Sequence, residues 1–380
     1  DRVGSNMKIG SLYYASDKAM FDALNQRKVT IAHLRELFLS RGIIISPETD
    51  KTALANQFSS FFHDYRDYQK LSRLIGAHSV RERTTNINIT STVSVDDMMK
   101  ALESTKELFE AEDHDVIDVS SVDGVITCTV HYQKTDYGQS EFRQVVQKQA
   151  VITLEPFRKG WKVTGPMNDK FKSLNAQLQS QIEIMTDSQV KVSEISLAAY
   201  PDPVLRTRFF RELIERLPKF KQVDVIDVAT FNPKLNEVDL LVDELQSDDD
   251  DHQDDVEEGP PAVASRPTTH ITKAQLSGQG VLESDQVLAL EAEGFYICKI
   301  LWHATDNNQI DSDIYVIEAQ FGNKAACSDF SYILKGVKHY QTSGVFGGRV
   351  KASPVEEERI KKLIVRAAED TIKVLTAGKS

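Results

Sequence analysis

The stretch FYICKILWHATDNNQIDSDIYVIEAQF, residues Phe295–Phe321, decides the fold class of the C-terminal part of this chain. Apolar and polar residues alternate along FYICKILWHA and again along DIYVIEAQF, a period of two that is typical of β-strands with one buried face. The segment TDNNQID between them is short and rich in turn-forming residues. We therefore predict an antiparallel hairpin, with Glu318 and Gln320 on the same face of its second strand.

The sequence after this hairpin predicts one more strand and a long helix. DFSYILKGVKHY continues the alternation, and the segment Ser353–Leu375 has a helical period. Ser353 and Glu356 are spaced as a capping box, and Pro354 occupies the first turn. The apolar residues that predict the buried stripe of this helix are Ile360, Leu363, Ile364, Ala367 and Ala368.

The centre of the chain mixes the same two periods. GVITCTVHYQ and QAVITLEPF alternate as strands and are separated by turn residues, which predicts an antiparallel meander. NDKFKSLNAQLQSQIEIM and DPVLRTRFFRELIERLP have helical periods. Strands and helices that follow one another in this irregular order favour an α+β fold.

An acidic run divides the chain. Residues 243–258 contain ten acidic residues and no lysine or arginine, and three prolines follow before residue 269. Like charges repel and scattered apolar residues cannot anchor a core, so we predict a disordered linker over 245–269. The predicted organisation is α+β and multidomain, with a helical N-terminal module at 7–80, a central domain at 86–244, this linker, and a C-terminal α+β domain at 270–380.

The composition of the chain and the motifs it lacks limit the classes of function to be considered. The hydrophobic content of 41% and charged content of 27% are those of globular proteins. No run reaches the roughly 18 apolar residues that a membrane helix needs, so no membrane partner is expected. Three distant cysteines without a CxxC motif favour a reducing, cytoplasmic location. HExxH, GxSxG and the P-loop pattern are absent, which predicts a non-catalytic protein without a cofactor.

The segment VTIAHLRELFLSRGIIISPETDKTALANQF, residues Val29–Phe58, is a candidate nucleic-acid-binding module. Leu34 and Leu37 lie on one face of a first helix that Gly42 ends, and Leu54 and Phe58 lie on a second helix. This pattern, over about 30 of 380 residues, resembles the SAP and helix–extension–helix modules, which are small helical hairpins that bind DNA. The resemblance implies phosphate contacts by Arg35, Arg41 and Lys51. Beyond the resemblance, the downstream basic residues Arg66, Lys70, Arg73, Arg81 and Arg83 are predicted to extend this surface.

The alternative is an amphipathic helical hairpin that only packs on the next domain. Glu48 and Asp50 lie in the connector, where a DNA-binding module is expected to carry basic or small residues. The net charge of the whole chain, −12, does not decide the matter, because the acidic run supplies most of it and residues 1–85 carry a basic excess.

A second basic candidate is the segment Phe330–Pro354, which contains no aspartate or glutamate. Its glycines let the backbone approach a phosphate closely, and basic residues with aromatic neighbours suit single-stranded nucleic acid. The alternative is a hairpin tip whose glycines only make turns. The basic residues predicted to bind are Lys335, Lys338, Arg349 and Lys351, and the interleaved aromatic residues are Tyr332, Tyr340 and Phe346.

An enzymatic alternative is a divergent nuclease of the PD-(D/E)xK type. Such an enzyme holds Mg²⁺ with acidic residues at adjacent strand ends. Asp313, Glu318 and Gln320 are the candidates, with the glutamine in the place of the usual lysine. The competing interpretation is a polar pair on the solvent-facing side of a strand.

The preferred hypothesis is a nucleic-acid-binding, non-catalytic accessory or regulatory protein with DNA or RNA as partner. A helical SAP-like module joined to mixed domains resembles, in organisation only, accessory proteins of bacterial anti-phage defence systems. A third hypothesis is a scaffold that binds a basic protein through the acidic linker, and a homo-oligomer is also compatible with the sequence.

Overall fold

The computed structural model describes residues 16–75, 81–112, 115–135, 142, 145–233, 271–342 and 344–377. The predicted linker at 245–269 and the start of the predicted N-terminal module lie outside these residues. The described helices are α1 Asp17–Asn25, α2 Ile31–Leu39, α3 Lys51–Ser59, α4 Tyr65–Ile75, α5 Val95–Glu112, α6 Asp169–Thr186, α7 Pro203–Glu215, α8 Asp285–Ala292 and α9 Pro354–Ala377. The described strands are β1 Thr84–Thr90, β2 Val116–Val122, β3 Val125–Thr135, β4 Val145–Phe157, β5 Gly160–Pro166, β6 Lys191–Glu194, β7 Phe220–Phe231, β8 Lys273–Ser277, β9 Tyr296–Asp306, β10 Ile314–Asn323, β11 Ser328–Tyr340 and β12 Phe346–Val350.

Mixed helices and antiparallel strands confirm the predicted α+β class. The chain forms two compact units: unit 1 comprises 1–82, 93–153 and 170–188, and unit 2 comprises 83–92, 154–169 and 189–380. These boundaries do not coincide with the predicted domains. In unit 2, β7 pairs with β8 and β9, so segments on both sides of the predicted linker share one sheet. Composition marks an acidic run, but strand pairing over such a distance leaves no local signal in the sequence.

Unit 1 begins with helices α1 to α4, which bury one apolar core. Helices α2 and α3 occupy the two positions predicted within Val29–Phe58. Phe38 and Phe58 meet edge to face in this core, with ring centroids 5.2 Å apart. The core residues shared by these helices include Met20, Leu24, Leu34, Leu37, Phe38, Leu54, Phe58 and Leu71.

The predicted strands GVITCTVHYQ and QAVITLEPF are β3 and part of β4, which are neighbours in the sheet order β2-β3-β4. β2 pairs antiparallel with β3 through a tight turn between Val122 and Val125. Asp123 and Gly124 in this turn both have positive φ, at 51° and 79°. That conformation is the one two-residue hairpins require, and an Asp-Gly pair adopts it readily. Helices α5 and α6 and the first part of β4, residues 145–153, complete the described elements of this unit.

Unit 2 is built on an antiparallel sheet with the strand order β5-β1-β11-β10-β9-β7-β8, while β12 pairs with β11 and β6 with β1. The predicted hairpin of β9 and β10 is confirmed, with Ile314 opposite Thr305 and Gln320 opposite Lys299. One face of the sheet packs against α7 and α9, and Trp302, Ile317 and Phe321 are buried there. The capping box that begins α9 is also present, since Ser353 Oγ accepts from the backbone N–H of Glu356 at 3.3 Å and Glu356 Oε2 accepts from the backbone N–H of Ser353 at 3.1 Å.

The predicted strand DFSYILKGVKHY is part of β11, and the rest of the second basic segment contains β12, which pairs with β11 as a hairpin. Gly336 makes the pairing possible, because a Cβ built there would lie 2.5 Å from the carbonyl oxygen of Val350. Because the neighbouring strand is this close, position 336 has no room for a side chain. Gly336 therefore permits the strand pairing, whereas Gly344 belongs to the turn of the hairpin. Sequence periodicity missed β12 because glycine removes the alternation that reveals a strand.

Candidate nucleic-acid interface

Arg41 of unit 1 is one of the residues predicted to contact phosphate. In the structure its side chain contacts residues of α3, of α4 and of the segment between them. Its guanidinium forms a hydrogen-bonded ion pair with Asp67, donates to the carbonyl of Phe62 at 2.8 Å, and contacts His63 Nδ1 at 3.0 Å. It also lies over the ring of Phe58, 4.9 Å from the centroid. We call Arg41, His63 and Asp67 the Arg41 cluster. Its single carboxylate balances its single permanent cation.

Two other predicted phosphate ligands of unit 1 also bond to the protein itself. Lys51 Nζ donates to the carbonyls of Asn25 at 3.0 Å and Gln26 at 2.6 Å, at the end of α1. Arg35 Nη2 donates to the carbonyl of Pro47 at 2.7 Å. Burial lowers the pKa of Lys51. The last carbonyls of a helix have no hydrogen-bond donor within the helix, and Lys51 supplies one at the end of α1. The Arg35 bond stabilises the connector in the same way.

Asp50, one of the two acidic residues in the connector, has a structural role. Asp50 is the N-cap of α3, and its Oδ1 accepts a hydrogen bond from the backbone N–H of Ala53 at 2.8 Å. Further along, Arg66 is exposed, and Lys70 Nζ lies 3.4 Å from Ser40 Oγ. The side chain of Arg73 lies outside the described residues.

A different cluster of charges lies on the sheet of unit 2, around Glu318 of β10. The face opposite the apolar core carries Glu318 and Gln320, as the alternation predicts, because Ile317, Ala319 and Phe321 face the core. Glu318 is 2% exposed. A buried carboxylate is costly unless cations or hydrogen bonds compensate it.

Three cations surround the Glu318 carboxylate. Arg83 Nε and Nη2 each lie 2.9 Å from Oε1, Lys335 Nζ lies 3.3 Å from Oε2, and Lys299 Nζ lies 3.6 Å from Oε2. We call these four residues the Glu318 cluster. Burial acts to raise the pKa of Glu318, but Lys299, Lys335 and Arg83 together outweigh it and hold this pKa below its usual range. The carboxylate is therefore ionised at neutral pH, and the cluster has an excess of two positive charges.

The residues of the nuclease alternative do not come together. Asp313 accepts from the backbone N–H of Tyr340 at 2.8 Å and pairs with His339 Nδ1 at 2.8 Å. It precedes Glu318 by five residues along an extended chain, which is roughly 16 Å. Ligands of one metal ion must all lie about 2 Å from it. Among the described residues, no group of three or more histidine, cysteine, aspartate or glutamate side chains is placed to hold a metal ion.

The β11–β12 hairpin brings together the cations predicted in the second basic segment. Lys338 lies directly opposite Arg349 in the strand register, and Arg349 and Lys351 are exposed. Within the part of the chain that the structure describes, none of these three has a carboxylate partner. Burial, followed by the Lys338 ammonium, lowers the pKa of His303 on this side of the sheet, and Asp224 opposes the shift.

Aromatic side chains lie at the tip of the same hairpin. Tyr340 and Phe346 pair edge to face across the strands, with ring centroids 5.6 Å apart. The Tyr340 hydroxyl accepts from the N–H of Gly344 at 3.2 Å, which fixes the ring over the turn. Tyr332, the third predicted aromatic residue, faces the core of unit 2 and is fully buried, so the structure separates it from the other two.

Sequence reasoning missed Lys299 and assigned Glu318 the wrong neighbours. The alternation of β9 was the available signal for Lys299, since it places that residue on the face of Gln320. No local signal pairs β1 with β11, and that pairing brings Arg83 to Glu318. The three cysteines are free and buried, and burial raises the pKa of Cys298 to about 11, so this thiol is not activated as a nucleophile.

Comparison of the sequence with models of known protein families and with curated proteins found no match. Nowhere in the described residues does a helix combine the length and the apolar character needed to cross a membrane.

Proposed function

We propose that this protein binds nucleic acid through the β11–β12 hairpin of unit 2. The observation that carries the proposal is the cross-strand pair of Lys338 and Arg349. Like charges directly opposite each other destabilise a sheet, so a hairpin that keeps them is favoured when an anion lies between them. Lys351 extends the same basic strip beyond β12.

The tip of the hairpin supports single strands over duplex as the preferred form. Tyr340 and Phe346 are both partly exposed, and they lie next to the basic strip. Bases stack on aromatic rings only when they are unpaired or splayed out, and such stacking tolerates any base. Backbone contacts by lysine and arginine with stacking at the tip give binding without sequence preference. DNA and RNA are both compatible with this chemistry.

Unit 1 has a secondary place in the proposal. Arg41 and Lys51 bond to the protein, so the exposed Arg66 is the better candidate for a contact there. The SAP-like assignment, the accessory role and the place in an anti-phage defence system stay predictions. The scaffold hypothesis also stays a prediction, because its acidic segment lies outside the described residues.

The test compares two triple variants with the same loss of charge. The first replaces Lys338, Arg349 and Lys351 with glutamine. The control replaces Arg208, Arg366 and Lys373, which are exposed on α7 and α9 and pair with Glu212 and Asp370. Fluorescence anisotropy with a labelled single strand and a labelled duplex, at about 50 mM and about 200 mM salt, measures affinity and its salt dependence.

We expect the hairpin variant to lose at least about tenfold in single-strand affinity, with the slope of log affinity against log salt reduced by about 2. The control is expected to bind like the wild type, because its cations already have carboxylate partners. Circular dichroism confirms that both variants are folded. Equal loss in both variants would show that only net charge matters, and unchanged binding in the hairpin variant would remove this hairpin from the interface.

A further inference from the structure

We propose that the Glu318 cluster is a binding site for a phosphate group. This goes beyond the hairpin interface, because Arg83, Lys299 and Glu318 are not part of the hairpin. The geometry that carries the proposal is the gathering of three cations on a single buried carboxylate. One carboxylate compensates one cation, so two positive charges stay uncompensated within the cluster.

The uncompensated charges lie close together. Lys299 Nζ and Lys335 Nζ both contact Oε2 of Glu318, at 3.6 Å and 3.3 Å, so they are at most about 7 Å from each other. Like charges at this distance repel, and partial burial reduces the screening by water. A doubly charged anion between the two ammonium groups would offset this repulsion. The three cationic side chains are 24–33% exposed, so a ligand can reach them from solvent.

Neutral hydrogen-bonding groups lie in the next row of the sheet. Ser331, Gln320 and Lys299 are opposite one another across β11, β10 and β9. They share the face of Glu318, because paired residues lie on the same side of a sheet. Ser331 is fully buried, and its hydroxyl has no hydrogen-bond partner among the described residues. The Ser331 hydroxyl is therefore one more donor on this face that the described part of the protein does not use.

These groups suit phosphate better than a carboxylate ligand. Arg83 bonds Glu318 through Nε and Nη2, its other N–H groups can bond an oxyanion, and two lysines supply point charges to a tetrahedral group. Two uncompensated charges match the charge of phosphate at neutral pH. The phosphate can belong to a small molecule or to the end of a nucleic acid, and the chemistry of the site is the same in both cases.

The first experiment titrates inorganic phosphate into the full chain at constant ionic strength, with chloride as the reference anion, and follows binding by calorimetry and by the thermal midpoint. The variant K299Q/K335Q removes two cations of the cluster. The control R366Q/K373Q removes the same charge from α9. We expect phosphate to bind the wild type and the control, and the affinity of K299Q/K335Q to fall at least about tenfold, since each charged hydrogen bond contributes substantially.

The variant E318Q separates a ligand site from an internal ion network. Removing the carboxylate leaves three cations without an internal anion, so E318Q is expected to unfold at a lower temperature than the wild type. In a phosphate site, added phosphate replaces the lost charge, and the thermal midpoint of E318Q rises more than that of the wild type. In an ion network that binds nothing, phosphate and chloride act alike on all variants, and the proposal fails.

Two further probes distinguish the source of the phosphate. A nucleoside monophosphate tests the small molecule, and a single strand with and without a 5′-phosphate tests the nucleic-acid end. Binding of either probe that is weakened by K299Q/K335Q supports the site and names its source. The hairpin variant K338Q/R349Q/K351Q is expected to bind inorganic phosphate normally. The hairpin interface and the Glu318 site can therefore fail independently of each other.

Discussion

The Arg41 cluster and the Glu318 cluster differ in net charge. The Arg41 cluster of unit 1 has one guanidinium, one carboxylate and a histidine whose pKa burial and then Arg41 lower, so its charges cancel. The Glu318 cluster of unit 2 has three cations on one carboxylate. A count of basic residues in the sequence does not distinguish the cations of the first cluster from those of the second. We therefore expect a cation to be available to a partner where the fold gives it too few acidic neighbours.

The largest effect is expected from Glu318→Gln in the absence of phosphate. The substitution removes a buried anion and leaves Arg83, Lys299 and Lys335 to repel one another. We expect unit 2 to lose about 3 kcal/mol of its free energy of unfolding, as happens when one side of a buried ion pair is removed. Urea denaturation, with hydrogen exchange of β10 and β11 to localise the change, measures this loss. Unchanged exchange in both strands would contradict the assigned role of the carboxylate.

A smaller loss is expected from Asp67→Asn in the balanced cluster. The amide keeps the shape of the side chain but leaves Arg41 without its anion, on a side chain that is only partly buried. We expect about 2 kcal/mol of destabilisation in unit 1, seen as faster exchange in α3 and α4. Phosphate should not restore the stability of this variant. Recovery with phosphate as large as that of E318Q would break the comparison between the two clusters.

The histidine of the balanced cluster predicts a pH dependence in unit 1. Burial, with the neighbouring Arg41, lowers the pKa of His63, so the unfolded chain takes up the proton first as the pH falls. Stability is therefore lost as the pH falls through about 6.5 towards the lower folded pKa, and it levels off below that. Protection factors of the α3 and α4 amides, which compare each exchange rate with the intrinsic rate at the same pH, measure this loss at about pH 7 and about pH 5.

The variant H63Q is the control for this pH dependence. Glutamine keeps a donor and an acceptor near the carbonyl of Phe58 but does not titrate. We expect the loss of protection between about pH 7 and about pH 5 to be smaller in H63Q. An identical loss of protection would assign the effect to other groups.

The smallest effect is expected from Lys338→Glu in the hairpin. The substitution turns a like-charged cross-strand pair into an opposite-charged pair with Arg349. We expect the hairpin to gain roughly 0.2–1 kcal/mol of stability, measured as slower exchange of the β12 amides, while nucleic-acid binding falls. A hairpin that becomes less stable would show that Lys338 and Arg349 do not repel each other in the wild type.

The sequence predicts individual helices and strands of this fold correctly where the hydrophobic periodicity or a helix-capping motif is strong. The hairpin of β9 and β10, the helices within Val29–Phe58 and the capped helix α9 lie where the sequence predicts them. The short strand β8 and the glycine-rich β12 have weak or interrupted periods, and their assignment depends on the strands they pair with.

The candidate sites were readable only in part. The sequence indicated which residues are basic and placed Lys335, Lys338, Arg349 and Lys351 in one segment. It also placed Glu318 and Gln320 on one face. It could not show that Arg41 and Lys51 bond to groups of unit 1, because Asp67 and Asn25 lie more than twenty residues away in each case.

The sequence by itself determined the α+β class, the caps and the polar face of β10, since these depend on neighbours within a few residues. Only the tertiary structure decided which charges are compensated. Arg83 and Glu318 are 235 residues apart in the chain and meet because β1 pairs with β11 and β11 with β10. Electrostatic energy depends on distance in space rather than along the chain. A charge pattern in the sequence therefore predicts a basic region, and the fold determines which of its cations can bind a ligand.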